Sequence, residues 1–210
     1  LRCLVGSEMC IRDRPNTFPD LLLTFTALSG ELPSALVSRL PGSDSYKAYA
    51  VKILKREKLL RTYYHDGLRG LRLTSIAKNL LAARQPDRYL PLFTGDTATN
   101  TPKYSVPHRL RLHRMAEVLV TVYNAGLLIF PWEKPAVFQP GADNAGLYIG
   151  PAYYSSREVK EIGAQATMIR GSRSTGVLLC DGGIFAAYNT ADTRMKWEYN
   201  CLLYTSDAAD

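Results

Sequence analysis

The chain has 210 residues, of which 46% are hydrophobic and 21% are charged, and its formal net charge is +7. This composition is typical of a globular protein, and the basic excess favours a polyanionic partner, usually nucleic acid. No stretch approaches the roughly 18 to 20 continuous apolar residues of a membrane span, so the sequence predicts a cytoplasmic protein with no membrane partner.

The sequences at both ends of the chain match the translation of adapter DNA. Met9 to Asp13 is spelled by ATG TGT ATA AGA GAC, and the same bases on the opposite strand, shifted in frame, give Cys201 to Ser206. That element matches the mosaic end used in transposase-based library preparation. Residues 1–14 and 201–210 are therefore interpreted as artefacts and excluded from fold reasoning, and both natural termini are expected to be missing.

Excluding the adapter-like segments changes how the cysteines are interpreted. Three of the four lie in the adapter-like segments, which leaves Cys180 alone. One cysteine supports neither a disulfide framework nor a zinc site. His108 and His113 are five residues apart, so they do not share a helix face and do not make a metal pair. The sequence predicts no bound metal or cofactor.

Charge and proline content divide the remaining chain. Residues 20–90 carry 12 basic and six acidic side chains, whereas residues 91–200 carry 11 and nine. Residues 86–107 are rich in proline, threonine, asparagine and aspartate, which predicts a linker. We therefore expect an α+β chain with a first domain at 18–85 and a small α/β domain at 108–200.

Three helices are predicted in the first domain. Asp20 to Leu28 is apolar, with Asp20 as its N-cap and Gly30 just beyond its end. Pro33 to Leu40 follows, with the proline in the first turn. The third helix, about Ser45 to Lys58, is amphipathic: Tyr46, Ala50, Ile53 and Leu54 are assigned to the packed face, and Lys47, Val51, Lys55 and Lys58 to a cationic one.

A hairpin and a fourth helix complete the predicted domain. Leu59 to Tyr64 and Leu71 to Thr74 read as strands around an Asp-Gly turn, with Arg69 near the tip, and Ser75 to Arg84 is helical. This order predicts a winged helix-turn-helix, in which the third helix enters the major groove and the wing reaches the backbone beside it.

The predicted DNA-binding residues lie on the third helix and the hairpin. Charge on both would give salt-sensitive affinity for phosphates, and the start of the third helix would reach base edges, through Ser45, Tyr46 and Lys47. The alternative is a winged helix used for protein contacts. The full predicted set is Ser45, Tyr46, Lys47, Val51, Lys52, Lys55, Lys58, Arg69 and Arg72.

The second half is predicted to contain one helix, Arg109 to Asn124, followed by short strands. Asp181-Gly182-Gly183 is predicted as the hairpin turn between the last two. The strand-like segments are Leu127 to Phe130, Ala136 to Phe138, Gly146 to Ile149, Val177 to Leu179 and Ile184 to Tyr188.

With its winged helix, its His113-containing helix and the Trp132-Glu133 pair, the chain resembles the replication-relaxation family of plasmids and other mobile elements over most of residues 20–190. The resemblance implies a DNA-binding accessory or regulatory protein, with duplex DNA, a second copy or mobile-element replication proteins as partners. It also implies a restriction-endonuclease-like second half, often without an evident active site. The Pro-Asp strand motif of a typical member is absent.

A metal-dependent nuclease is the alternative. Glu158-Val159-Lys160 has the spacing of an acid-x-Lys pair, with Asp143 or Glu133 as a second carboxylate that would hold a metal. The competing interpretation is a capping box, Ser155-x-x-Glu158, that begins a helix from Ser156 to Ile162. The capping interpretation is favoured, because a helix would not present Glu158 and Lys160 on one face.

Overall fold

The structure is a computed structural model that describes residues 17–94, 104–135, 150–161, 174–181 and 183–189. The chain divides into two compact units, Leu1–Asn124 and Ala125–Asp210. Among the described residues, the first unit combines several helices with a small antiparallel sheet and the second combines one helix with another such sheet, so the predicted α+β class is confirmed. The adapter-like ends lie outside the described residues.

In the described residues of the first unit there are six helical segments and three strands. Its helices are α1 (Phe18–Ser29), a 3₁₀ helix (Ser34–Arg39), α2 (Asp44–Arg56), α3 (Ser75–Arg84), α4 (Pro86–Phe93) and α5 (Val106–Asn124). Its strands are β1 (Leu32–Pro33), β2 (Leu60–His65) and β3 (Leu68–Leu73), ordered β1-β3-β2.

Helix α1 forms the centre of the core. It is apolar around its whole circumference, which is the pattern of a helix covered on all sides, and Leu22 and Phe25 are fully buried. It begins at Phe18 rather than at Asp20, because Pro19 fits the first turn of a helix. Asp20 therefore lies inside the first turn, and its prediction as N-cap is wrong.

The hairpin between β2 and β3 closes as predicted. Asp66 and Gly67 have positive φ angles of 47° and 74°, which are the backbone angles of a tight two-residue turn that matches the twist of the strands. Pairing runs in register from Leu60 opposite Leu73 to His65 opposite Leu68.

The predicted linker is helical at both of its ends, and its middle, residues 95–103, lies outside the described residues. Residues 86–93 form helix α4, in which Tyr89 is buried and its hydroxyl lies 2.8 Å from the Thr24 hydroxyl. Helix α5 begins at Val106 and belongs to the first unit, so the boundary follows Asn124. Proline is common in the first turn of a helix as well as in linkers. Pro86 was therefore compatible with both structures, and the helix was not predicted.

The second unit contains β4 (Ala152–Ser155), α6 (Ser156–Glu161), β5 (Ser174–Cys180) and β6 (Gly183–Tyr188), with the strands ordered β4-β5-β6. Strands β5 and β6 confirm the predicted final hairpin. For the predicted strand at Leu127 to Phe130, the described part of the second unit shows one isolated bridge, from Leu128 to Ala152. The predicted strands at 136–138 and 146–149 lie outside the described residues, and no described helix is long and apolar enough to cross a membrane.

Candidate nucleic-acid interface

One face of α2 is directed to solvent. Its residues recur at helical spacing, and all are exposed, Tyr49 by 53%. They are Ser45, Ala48, Tyr49, Lys52 and Arg56. The opposite side of the helix carries the buried Ala50, Ile53 and Leu54, as predicted.

Lys47 does not belong to the exposed face. It stands three residues before Ala50 and seven before Leu54, so the helical period places it on the buried side, and it is only 5% exposed. Its ammonium donates to the carbonyls of Ser38 and Leu40 at 2.7 and 3.1 Å. The prediction that Lys47 lies on the cationic face is therefore wrong. The Lys47 ammonium group instead bonds to the carbonyls at the end of the 3₁₀ helix.

The side chain of Tyr46 is only partly exposed to solvent. It is 41% exposed, and its ring lies against Phe18 with centroids 6.0 Å apart. Val51 is half-buried, whereas Lys58 is exposed beyond the end of α2. At the start of the helix Ser45 is exposed, and Tyr49, one turn further on, is also exposed although it is not in the predicted DNA-binding set.

The β2–β3 hairpin also carries exposed side chains. Tyr64 and Arg69 are direct partners across β2 and β3, so both side chains lie on the same side of the sheet. Tyr64 is 69% exposed and Arg69 is also exposed. Burial lowers the pKa of Lys55, and the charge of Arg69 lowers it further. The positive charge on the hairpin therefore acts on a lysine of α2.

We call this surface the basic face and define it as Ser45, Tyr49, Lys52, Lys55, Arg56, Tyr64 and Arg69. Among the described residues, neither Lys52 nor Arg69 forms an ion pair with an acidic side chain. Arg56 is ion-paired with Glu57 at 3.7 Å. Positive charges gathered on a surface raise the local concentration of anions, so the basic face is the candidate site for a polyanion.

Arg72 lies on the other side of the hairpin, and its predicted exposure is wrong. It is 5% exposed, with Nη2 2.6 Å and Nε 2.8 Å from Oε2 of Glu31. The alternation of side chains along β3 places Arg72 and Arg69 on opposite faces. Arg72 therefore belongs to a buried ion cluster instead of the basic face.

Glu31 is the centre of that cluster. It is fully buried and accepts hydrogen bonds from Arg72 and Arg109, while Nε2 of His113 lies 2.8 Å from Oε1. Burial raises the pKa of this carboxyl, but the bonds from His113, Arg109 and Arg72 outweigh burial and lower its pKa to about 2. Glu31 is therefore ionised at neutral pH.

Arg109 joins the cluster to the hairpin turn. Its Nη1 donates to the His65 carbonyl at 2.9 Å, and its Nη2 donates to the Leu68 carbonyl at 3.0 Å. Its guanidinium also lies 4.6 Å from the centre of the Tyr63 ring. Arg109 is the second buried positive charge of the cluster, and the Glu31 carboxylate alone would not balance both arginines. The carbonyl oxygens and the Tyr63 ring therefore help to stabilise the charge of Arg109.

No family model, curated protein or solved structure matches this chain. The resemblance to the replication-relaxation family therefore stays a prediction.

The second unit forms the predicted capping box. The carboxylate of Glu158 accepts from the backbone N–H and the hydroxyl of Ser155, both at 2.8 Å, and its other oxygen is ion-paired with Lys134. Lys134 is 2% exposed and also donates to the Tyr153 carbonyl at 2.9 Å. Burial lowers the Lys134 pKa, against the opposing charge of Glu158.

These contacts leave little support for the predicted nuclease pair. Both carboxylate oxygens of Glu158 are engaged, and Lys160 follows it within the same short helix. The side chain of Lys160 and all of Asp143 lie outside the described residues, whereas Glu133 is exposed. The described part of the chain holds no group of three acidic, histidine or cysteine side chains that would bind a metal.

Proposed function

We propose that residues 18–73 form a winged helix-turn-helix and that its basic face binds duplex DNA. The order of elements supports this proposal: a helix, a short strand, a 3₁₀ helix, a second long helix and a hairpin, with β1 paired to β3. In such a fold α2 is the recognition helix, which enters the major groove, and the β2–β3 hairpin is the wing.

The observation that carries the proposal is the joint exposure of the cations on α2 and the wing. Lys52 and Arg56 lie on the open face of α2, and Arg69 on the wing is close enough to lower the pKa of Lys55. A duplex presents phosphates on both sides of its major groove, so a recognition helix and an adjacent wing contact them together.

Base contacts are assigned to a different set from the one that the sequence predicted. Ser45, Tyr49 and Lys52 project from the exposed face of α2, whereas Lys47 is buried and Tyr46 packs on Phe18. A serine hydroxyl and a lysine ammonium bond to several base edges. We therefore expect modest sequence preference above a strong, nonspecific attraction to phosphate.

The wider role that we propose is that of an accessory or regulatory protein of a mobile element. The resemblance in the sequence supports it, together with the basic face. The second unit would then serve assembly or further DNA contact, with a second copy of the chain or replication proteins as partners. The nuclease alternative loses its main support because Glu158 is engaged in the capping box and with Lys134.

The test is a titration of a fluorescent duplex with the whole chain at several salt concentrations. Phosphate contacts release counterions, so the logarithm of affinity is expected to fall linearly with the logarithm of salt, with a slope of about 0.9 for each contact. Three to four contacts predict a slope near −3. Absence of binding at low salt would contradict the proposal and favour the protein-interaction alternative.

A further inference from the structure

We infer that Arg109, on a helix outside the winged helix-turn-helix, is the positioning residue for the wing. The inference deepens the proposed function and rests on it, because it gives Arg109 a part in DNA binding without contact to DNA. Arg109 is fully buried, in the first turns of α5. Its role is to fix the place that the wing's exposed side chains occupy beside α2.

The geometry of the hydrogen bonds points to this role. Arg109 donates to the carbonyls of His65 and Leu68, which flank the two-residue turn, and more weakly to that of Tyr63 at 3.4 Å. Tyr64 lies between two of these residues in sequence, and Arg69 follows the third. The backbone on both sides of the exposed pair Tyr64 and Arg69 is therefore held by one guanidinium.

The guanidinium is itself fixed in place from the opposite side. Its Nε and Nη2 bond to the Glu31 carboxylate, with the shortest distance 2.6 Å, and this carboxylate is also bonded to Arg72 and His113. A planar fork with five donors can meet a carboxylate and separate carbonyls at once, whereas a lysine ammonium is a single point charge. Lysine at position 109 is expected to keep the charge but lose part of the contact with the turn.

A hairpin this short depends on such outside support. An isolated two-stranded hairpin is marginally stable in water, and β2 lies at the edge of the sheet because the strand order is β1-β3-β2. When the backbone of the turn is already fixed, less conformational entropy is lost as Arg69 binds a phosphate. Removing the support is therefore expected to weaken the contact that Arg69 makes, and to leave the contacts of α2 unchanged.

The first measurement needs no DNA. Amide hydrogen exchange of the whole chain is compared for the native protein, Arg109→Lys and the control Arg111→Lys, which changes an exposed arginine on the same helix. Exchange at the amides of His65 and Leu68, which pair across the hairpin next to the turn, is expected to rise at least tenfold in Arg109→Lys only, with α1 amides unchanged. Equal exchange in all three proteins would overturn the inference. If Arg109→Lys does not fold, Arg109→Gln replaces it, since Glu31 keeps its ion pair with Arg72 and a glutamine amide still donates hydrogen bonds.

The second measurement is a double-mutant cycle on duplex binding. Arg109→Lys is expected to reduce the salt slope by about one, as loss of one phosphate contact would, and to have no further effect in an Arg69→Ala background. An equal effect in both backgrounds would show a general loss of structure and overturn the positioning role. If the native chain bound no duplex, the proposed function and the DNA role of Arg109 would both fail, while the exchange result would still decide whether Arg109 holds the wing.

Discussion

Nη2 of Arg109 lies 2.6 Å from Oε1 of Glu31, and both side chains are fully buried. The two residues are 78 positions apart in the chain. Their contact ties helix α5 to the short strand β1, so α5 is part of the first unit in spite of the proline-rich segment that precedes it. The stability of this unit is therefore expected to depend on a residue that sequence reasoning assigned to another domain.

Replacement of Arg109 by alanine should destabilise the protein by about 3–5 kcal/mol, because it leaves the Glu31 carboxylate with fewer partners inside the core. The measurement is urea unfolding followed by circular dichroism. Arg111→Ala is the matched control on the exposed face of the same helix, with an expected change within about 0.5 kcal/mol. Similar midpoints for both variants would count against the buried cluster.

The pKa of Glu31 predicts an acid-sensitive contribution to stability. Because the folded state lowers this pKa from 4.5 to about 2, the ionised carboxylate stabilises the fold at any pH above its ordinary value. That contribution is lost as the pH falls from 4.5 towards 2. Glu31→Gln should be less stable than the native chain at pH 7, and the difference should shrink between pH 5 and pH 2. A difference that does not change with pH would contradict this account.

Gly70 has no room for a side chain. A Cβ at this position would lie 2.7 Å from the carboxyl carbon of Glu31, closer than real Cβ contacts allow. Gly70→Ala should therefore cost about 1–3 kcal/mol through overpacking, measured as the urea midpoint. Thr62→Ala, at an exposed position on the neighbouring strand, is the control, and equal stability of the two variants would show that the carboxylate moves aside without cost.

Glu158 is predicted to matter for stability in the second unit. Glu158→Ala removes both the cap on the Ser155 N–H and the partner of a buried lysine, at an expected cost of about 2–5 kcal/mol. Glu133→Ala, at an exposed acidic residue next to Lys134 in the sequence, should cost less than about 0.5 kcal/mol. Thermal unfolding of the three proteins checks this, and an unchanged transition in Glu158→Ala would exclude the structural role.

Local patterns predicted much of the fold. Helical spacing gave α2 and α3 within two residues, and the Asp-Gly turn gave the hairpin, because both signals depend on residues close in sequence. The two-residue strand β1 was missed, since its pairing with β3 is long-range and leaves no periodic signal.

The candidate site was harder to predict than the fold. Charge alone does not distinguish a solvated cation from a buried one, so Lys47 and Arg72 were both placed on the DNA-binding surface. The alternation of side chains along β3 places Arg72 and Arg69 on opposite faces of the sheet. Helical spacing relative to Leu54 places Lys47 on the buried side of α2. Both patterns can be recognised in the sequence. The partnership of Arg109 with Glu31 was not, because it depends on the packing of distant elements.

The most direct test of DNA binding through the basic face compares two variants of equal net charge. Lys52→Ala with Arg69→Ala removes two cations from the basic face, whereas Arg88→Ala with Arg111→Ala removes two exposed cations elsewhere in the first unit. The account predicts that the first pair lowers the salt slope of duplex binding by about two and that the second leaves the slope nearly unchanged. Equal weakening by both pairs would show that only net charge attracts the duplex and would contradict a defined DNA-binding face.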